Sequence, residues 1–118
     1  MYEFNMKIIR CEADKWCCFC MPKSEVTALL IKIIELKLGR ISGFMLIDPQ
    51  NKISASLSYR DNSLKLNIGN EYYSIATATA EFIVSFLIDQ TYPLCDYDHI
   101  DFPLENSSGI TDIVLSVE

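Results

Sequence analysis

The strict alternation of apolar and polar residues in the middle of the chain constrains its fold most strongly. Apolar residues occupy every second position in 53–59 and again in 64–68, with polar residues between them. A period of two predicts β-strands that bury one face and expose the other. Turn-forming pairs at 61–62 and 69–70 end these segments, so we expect an antiparallel meander with one apolar face and one serine-rich face.

Two segments with helical periodicity flank the meander. The first begins with Ser24 as its expected N-cap and ends before Gly39, a residue type that favours the position just after a helix. The second begins with Thr77 or Thr79 as its cap and ends near Gln90. Both carry dense apolar residues on one side, which predicts helices packed on the core.

The remaining segments predict further strands and one loop. Residues 2–8 alternate cleanly and predict a half-buried strand, whereas 16–21 are apolar on both faces and predict a strand covered on both sides. Residues 95–109 are typical of a loop, and 110–117 predict a last strand.

This order of elements predicts an α+β fold. We expect a mainly antiparallel sheet, built on the meander and packed against two helices as a two-layer sandwich. The chain has 118 residues, the size of one domain, so we expect residues 1–118 to form a single domain.

Composition and charge exclude several classes of protein. No run of about 18 apolar residues exists, so we expect no membrane span. The first residues lack a secretory signal pattern, and an odd number of cysteines, five, indicates reduced thiols, so we expect a cytoplasmic protein. A net charge of −6 argues against nucleic acid as a partner.

No catalytic or metal-binding signature stands out, so we expect neither an enzyme nor a cofactor. The chain has one histidine and four scattered glycines. Cys17, Cys18 and Cys20 lack the spacing of a zinc knuckle, and Cys18 and Cys20 should share a strand face with Trp16. The acids within 96–101 depart from the calcium-loop pattern.

The distribution of charge is strongly asymmetric. All ten basic residues and seven acids lie in residues 1–65, whereas 66–118 hold nine acids and no base. Such a segment predicts an acidic surface that attracts a basic partner, with aromatic residues as anchors, although acids also simply keep a domain soluble. The residues expected to bind the partner are Glu71, Tyr72, Tyr73, Asp96, Tyr97, Asp98, Asp101, Phe102 and Glu105.

Small size, acidity and the missing catalytic motifs resemble the bacterial immunity proteins of toxin–immunity systems, including contact-dependent inhibition and polymorphic toxins. The resemblance implies an inhibitor that neutralises a cognate basic, nuclease-like toxin domain. Its carboxylates would cover cationic side chains of the toxin, and its aromatic residues would fill the toxin's cleft.

Two alternatives remain open. The order helix, meander, helix, strand over 24–117 resembles the class I chaperones of type III secretion, small acidic homodimers that hold a segment of an effector. The chain departs from them by its strands before the first helix and by ending on a strand. The other alternative is a small-ligand-binding domain with its pocket between sheet and helices. Homodimerisation also stays open.

Overall fold

The computed structural model describes residues 2–104 and 109–118 of the chain. Its strands are β1 (Tyr2–Asn5), β2 (Lys7–Cys11), β3 (Trp16–Met21), β4 (Gly43–Asp48), β5 (Ile53–Arg60), β6 (Ser63–Ile68), β7 (Glu71–Ile75), β8 (His99–Pro103) and β9 (Asp112–Val117). The helices are α1 (Val26–Lys37), preceded by a 3₁₀ turn over Lys23–Glu25, and α2 (Thr77–Gln90).

The α+β class is confirmed, but the strands form two sheets where a single one was expected. The first sheet has the order β1-β4-β5-β6-β7, and the second has the order β2-β3-β9-β8. The meander from β4 to β7 is antiparallel, as predicted, and β1 runs parallel to β4. In the second sheet β9 runs parallel to β3, and the other pairs are antiparallel.

The expected strand over 2–8 is in fact two strands, one in each sheet. The backbone amide of Met6 donates a hydrogen bond to the carbonyl of Ile47 at 3.0 Å, and the chain then leaves the first sheet. Ile8 pairs in the second sheet, and its amide donates to the carboxylate of Asp48 at 2.9 Å. The period of two continues across Met6, so the alternation alone does not show the change of sheet.

The predicted helix caps are wrong at the N-termini. Ser24 lies inside the 3₁₀ turn, and the residue at the N-cap position of α1 is Glu25. Ala76 occupies that position before α2, so neither Thr77 nor Thr79 caps it, and neither N-cap residue makes a side-chain cap hydrogen bond.

The predicted end of the first helix is confirmed. Gly39 adopts a φ of +73° directly after the last turn of α1. Its amide donates to the carbonyl of Leu36 at 3.1 Å, and the amide of Arg40 donates to the carbonyl of Glu35 at 2.9 Å. This is the paired arrangement in which a left-handed residue satisfies the last helical carbonyls.

One apolar core lies between the inner faces of the sheets and the two helices. Among the described residues, the only buried acidic residue is Asp48, which is 4 % exposed. A cavity of about 50 Å³ remains, lined entirely by apolar residues. Ligand pockets are several times larger, roughly 300–1,000 Å³, so this cavity does not support a small-ligand site. Among the described residues, no helix has the length and apolarity needed to cross a membrane.

The expectation that residues 16–21 are covered on both sides is wrong. Alternate residues from Cys17 to Met21 are buried on the inner face of the second sheet. Trp16, Cys18 and Cys20 share the opposite face, as predicted, but that face is only partly shielded. None of the described elements packs across it.

The segment 95–109, expected to be a loop, contains the edge strand β8. Ile100 and Phe102 are buried, and the residues on either side of each are exposed. The strand β8 shows the alternation of a half-buried strand. It pairs with β9, and Ile100 lies opposite Leu115.

Candidate functional site

The loop between α2 and β8 carries the most exposed apolar side chain among the described residues of the acidic half, together with a second large exposed one. Leu94 is 97 % exposed and Tyr92 is 60 % exposed. Acidic residues stand beside them, and together they line one open depression on the surface. We call this region the loop surface. Its members are Asp89, Tyr92, Leu94, Asp96 and Tyr97, which line the depression, and Asp98, the next residue along the chain.

The loop is held firmly to the end of α2. Gln90 is buried, and its side-chain amide donates a hydrogen bond to the carbonyl of Tyr97 at 2.6 Å and contacts the sulfur of Cys95 at 3.2 Å. The ring of Tyr97 packs on Phe86 with 5.6 Å between centroids, and its hydroxyl donates to Asp89. The loop therefore presents its outer side chains from a fixed base, which lowers the entropy cost of binding.

Hydrogen bonds set the ionisation of the groups in this region. The bond to Asp89, with burial as a smaller cause, raises the pKa of Tyr97 to about 12, so the phenol stays a donor at neutral pH. The Nδ1 atom of His99 lies 3.0 Å from a carboxylate oxygen of Asp98. This bond lowers the pKa of Asp98 and raises the pKa of His99.

The acids of the loop surface are not neutralised by lysine or arginine. Within residues 2–104 and 109–118, the carboxylates that pair with a lysine or arginine belong to Glu12, Glu35 and Glu71. The loop surface therefore keeps its negative charge for an outside partner, apart from the contact of Asp98 with His99.

The structure brings together three of the predicted binding residues. Asp96, Tyr97 and Asp98 all belong to the loop surface. Asp101 lies close by on β8, but its side chain points from the outer face of the second sheet. Tyr72 is 74 % exposed on β7, which precedes α2, whereas the loop surface follows the far end of that helix.

The other predicted residues have different roles or locations. Tyr73 and Phe102 are buried in the core, each 6 % exposed. Glu71 is bound by Arg10, whose Nη2 atom lies 2.7 Å and 2.8 Å from its two carboxylate oxygens. Glu105 lies outside the described residues.

The predicted set omitted Leu94 and Tyr92, although both project from the loop surface. The sequence did carry a signal: Tyr92, Pro93 and Leu94 place two large apolar side chains around a proline, between acidic residues. An apolar side chain that a proline-containing turn cannot bury is a candidate contact for another protein.

All five cysteines are free thiols. Across the part of the chain that the structure describes, no three histidine, cysteine or acidic side chains cluster as a metal site would require.

In comparisons with protein-family models, curated proteins and solved structures, nothing matches the chain.

Proposed function

We propose that the protein is an immunity protein that binds and neutralises a cognate basic, nuclease-like toxin domain. The observation that supports this most is the loop surface, where unneutralised carboxylates surround the exposed side chains of Tyr92 and Leu94. Carboxylates around an apolar centre match the usual anatomy of a protein interface, in which buried anchors are ringed by polar groups.

Each part of the loop surface has a role in this proposal. Leu94 and Tyr92 enter an apolar recess of the toxin and exclude water from the contact. Asp96 and Asp98 face lysine or arginine side chains that the toxin uses to hold nucleic acid. The acidic half of the chain speeds association, because opposite charges steer two proteins toward each other.

The inhibitor acts in the cytoplasm in this proposal. A toxin that cleaves nucleic acid must be blocked where its substrate lies. Five unpaired thiols suit a reducing compartment.

The apolar residues exposed on the helices favour a second candidate, a chaperone similar to the class I chaperones of type III secretion. Ile31, Ile34 and Leu38 near α1 are 41–64 % exposed, and Phe82 and Ile88 on α2 are 42–49 % exposed. Such side chains would hold an apolar segment of an effector, and the acidic loop surface would have no part in this binding.

A capture and protection experiment tests the proposal. The wild-type chain and the double variant Asp96→Lys/Asp98→Lys are used as baits in lysate of the source cells, and a captured basic domain is then produced in cells with either bait. We expect the wild type to capture a toxin domain and restore growth. We expect the variant to bind at least a hundredfold more weakly and to fail to protect.

A matched charge reversal on another surface serves as the control. The double variant Glu81→Lys/Glu25→Lys changes the net charge by the same amount as the loop variant, but outside the loop surface. It should still protect cells from the toxin. Full protection by the loop variant would show that the loop surface does not bind the toxin. Capture of an unfolded effector segment through the helices would favour the chaperone instead.

A further inference from the structure

The outer face of the second sheet has a partly exposed apolar centre that no described part of the chain covers. Strand pairing places its side chains in three rows across β2, β3, β9 and β8. The rows are Lys7, Cys20, Ser116 and His99; Ile9, Cys18, Val114 and Asp101; and Cys11, Trp16, Asp112 and Pro103.

The centre of this face is apolar and its edges carry opposite charges. Ile9 is 40 % exposed, and Trp16, Cys18 and Val114 are each partly exposed around one open depression. Lys7 lies on the β2 edge and Asp101 on the β8 edge, both exposed. A surface with a basic edge and an acidic edge is complementary to itself when one copy is turned over.

We propose that two copies of this chain pack through this face, around a two-fold axis parallel to the strands. The axis lays β3 of one copy over β9 of the other, and β2 over β8. Cys18 then faces Val114 of the second copy, apolar against apolar. The indole N–H of Trp16 faces Asp112 of the second copy, which supplies an acceptor.

The charged edges fit the same arrangement. The axis keeps each row in register, so Lys7 of one copy lies over His99 of the other, and Ile9 lies over Asp101. The long side chain of Lys7 reaches diagonally, one row along β8, to Asp101 of the second copy. The two-fold axis forms this pair twice. Aligned sheets pack about 10 Å apart, a separation that lysine and aspartate side chains span together.

The area that this face buries limits the affinity of the dimer. Four strands about 4.8 Å apart and three rows about 7 Å apart bury on the order of 1,000 Å² from the two copies together. This area is at the low end for specific interfaces, and the net charge of −6 on each chain opposes association. We therefore expect dissociation in the micromolar range.

Sedimentation velocity at 1–200 µM measures this equilibrium directly, and Trp16, the single tryptophan, reports it by fluorescence on dilution. The wild type should shift from monomer to dimer across this range. Ile9→Glu, which places a carboxylate over Asp101 of the second copy, and Val114→Lys should each remain monomeric at 100 µM. Ile34→Lys on α1 is the matched control, because Ile34 is 41 % exposed and should leave the dimer intact.

A charge exchange tests the two-fold arrangement itself. Lys7→Glu and Asp101→Lys should each raise the dissociation constant about tenfold, since each places like charges together. The double variant Lys7→Glu/Asp101→Lys should restore it to within about threefold of the wild type. Thermal melts confirm that each variant folds. Ile9→Glu lies on an edge strand, so it still tests the interface if Val114→Lys unfolds.

Three results would overturn the inference. They are a wild type that stays monomeric at 200 µM, equal loss of the dimer in Ile34→Lys, and failure of the charge exchange to restore association. None of these variants changes the loop surface, so the outcome is independent of the proposed inhibitor function.

Discussion

Arg10 and Glu71 join the two sheets through a charged hydrogen-bonded pair. The Nη2 atom of Arg10 on β2 lies 2.7 Å and 2.8 Å from the carboxylate oxygens of Glu71 on β7. This contact raises the pKa of Arg10 and lowers the pKa of Glu71. Glu71 was predicted to bind a partner, but its carboxylate is already engaged within the fold.

A double-mutant cycle measures what this pair contributes. Arg10→Met and Glu71→Gln should each lower the free energy of unfolding by about 1–2 kcal/mol, with a coupling of about 1 kcal/mol. The coupling stays small because solvent reaches both side chains, which are 20 % and 39 % exposed. Urea unfolding gives the values, and additive effects of the two substitutions would show that the contact contributes nothing.

Asp48 makes the stability of the fold depend on acid pH. Its carboxylate accepts hydrogen bonds from the amide of Ile8 at 2.9 Å and from the amides of Gln50 and Asn51 at 3.1 Å. These bonds, that from Ile8 first, lower the pKa of Asp48. Their contribution is therefore complete above the ordinary aspartate pKa of about 3.9 and is lost as pH falls through the lower folded value.

Thermal melts of Asp48→Asn and the wild type from pH 7 to pH 2 test this prediction. The variant should melt several degrees lower at pH 7, and the difference should disappear toward pH 2. Asp61→Asn, in the exposed turn between β5 and β6, should match the wild type throughout. A constant difference at every pH would mean that the charge of Asp48 has no role.

Tyr73 is a structural residue, although its residue type suggested a binding anchor. Its hydroxyl donates to Glu71 and accepts the amide of Ile110 at 3.1 Å. Gly109 leaves space for this hydroxyl, since a Cβ atom there would lie 2.9 Å from it. We expect Tyr73→Phe to cost about 1–2 kcal/mol of stability, and Gly109→Ala to be destabilising because it displaces the hydroxyl.

A growth assay with Tyr73→Phe distinguishes a structural role of Tyr73 from a role in binding the toxin. In growth assays at a temperature where the variant remains folded, it should protect cells as well as the wild type does. Loss of protection without loss of stability would show that Tyr73 belongs to the surface that binds the toxin.

The meander was predictable because each of its signals is local. The alternation in β5 and β6, the Asp61-Asn62 turn with both φ angles positive, and the turn at Gly69 with its positive φ all follow from neighbouring residues. The strand β8 carries a local signal too, because Ile100 and Phe102 alternate with exposed residues. Its acids and its proline obscured this pattern, so a loop was predicted instead.

The division into two sheets was not predictable, because it depends on contacts between distant residues. β3 pairs with β9, so that Trp16 lies opposite Asp112, and nothing in either segment specifies that partner. The same pairing decides what the outer face contains. The binding surface was predicted only in part. The charge distribution indicated the acidic half of the chain, but Tyr73 and Phe102 in that half are buried in the core.

Gln90 should control the order of the loop surface. Its buried amide holds the carbonyl of Tyr97, so Gln90→Leu removes that bond and should cost about 1–2 kcal/mol. Hydrogen exchange in residues 91–98 should then become at least tenfold faster, with little change in the strands. Capture of the toxin should weaken as the loop loses its fixed shape. Unchanged exchange would show that Phe86 and Asp89 hold the loop without it.

The cysteines on opposite faces of β3 should differ sharply in reactivity. Burial raises the pKa of Cys17 to about 12, so almost no thiolate forms at pH 8, and its side chain is inaccessible. Burial also raises the pKa of Cys18, but Lys7 opposes the shift and this thiol reaches the outer face. Iodoacetamide at pH 8, followed by peptide mass spectrometry, should modify Cys18 at least a hundredfold faster than Cys17. Modification of Cys18 should also slow as protein concentration rises, because the dimer covers that face. In the Ile9→Glu variant the rate should not depend on protein concentration. Equal rates for the two thiols would contradict the assignment of faces in β3.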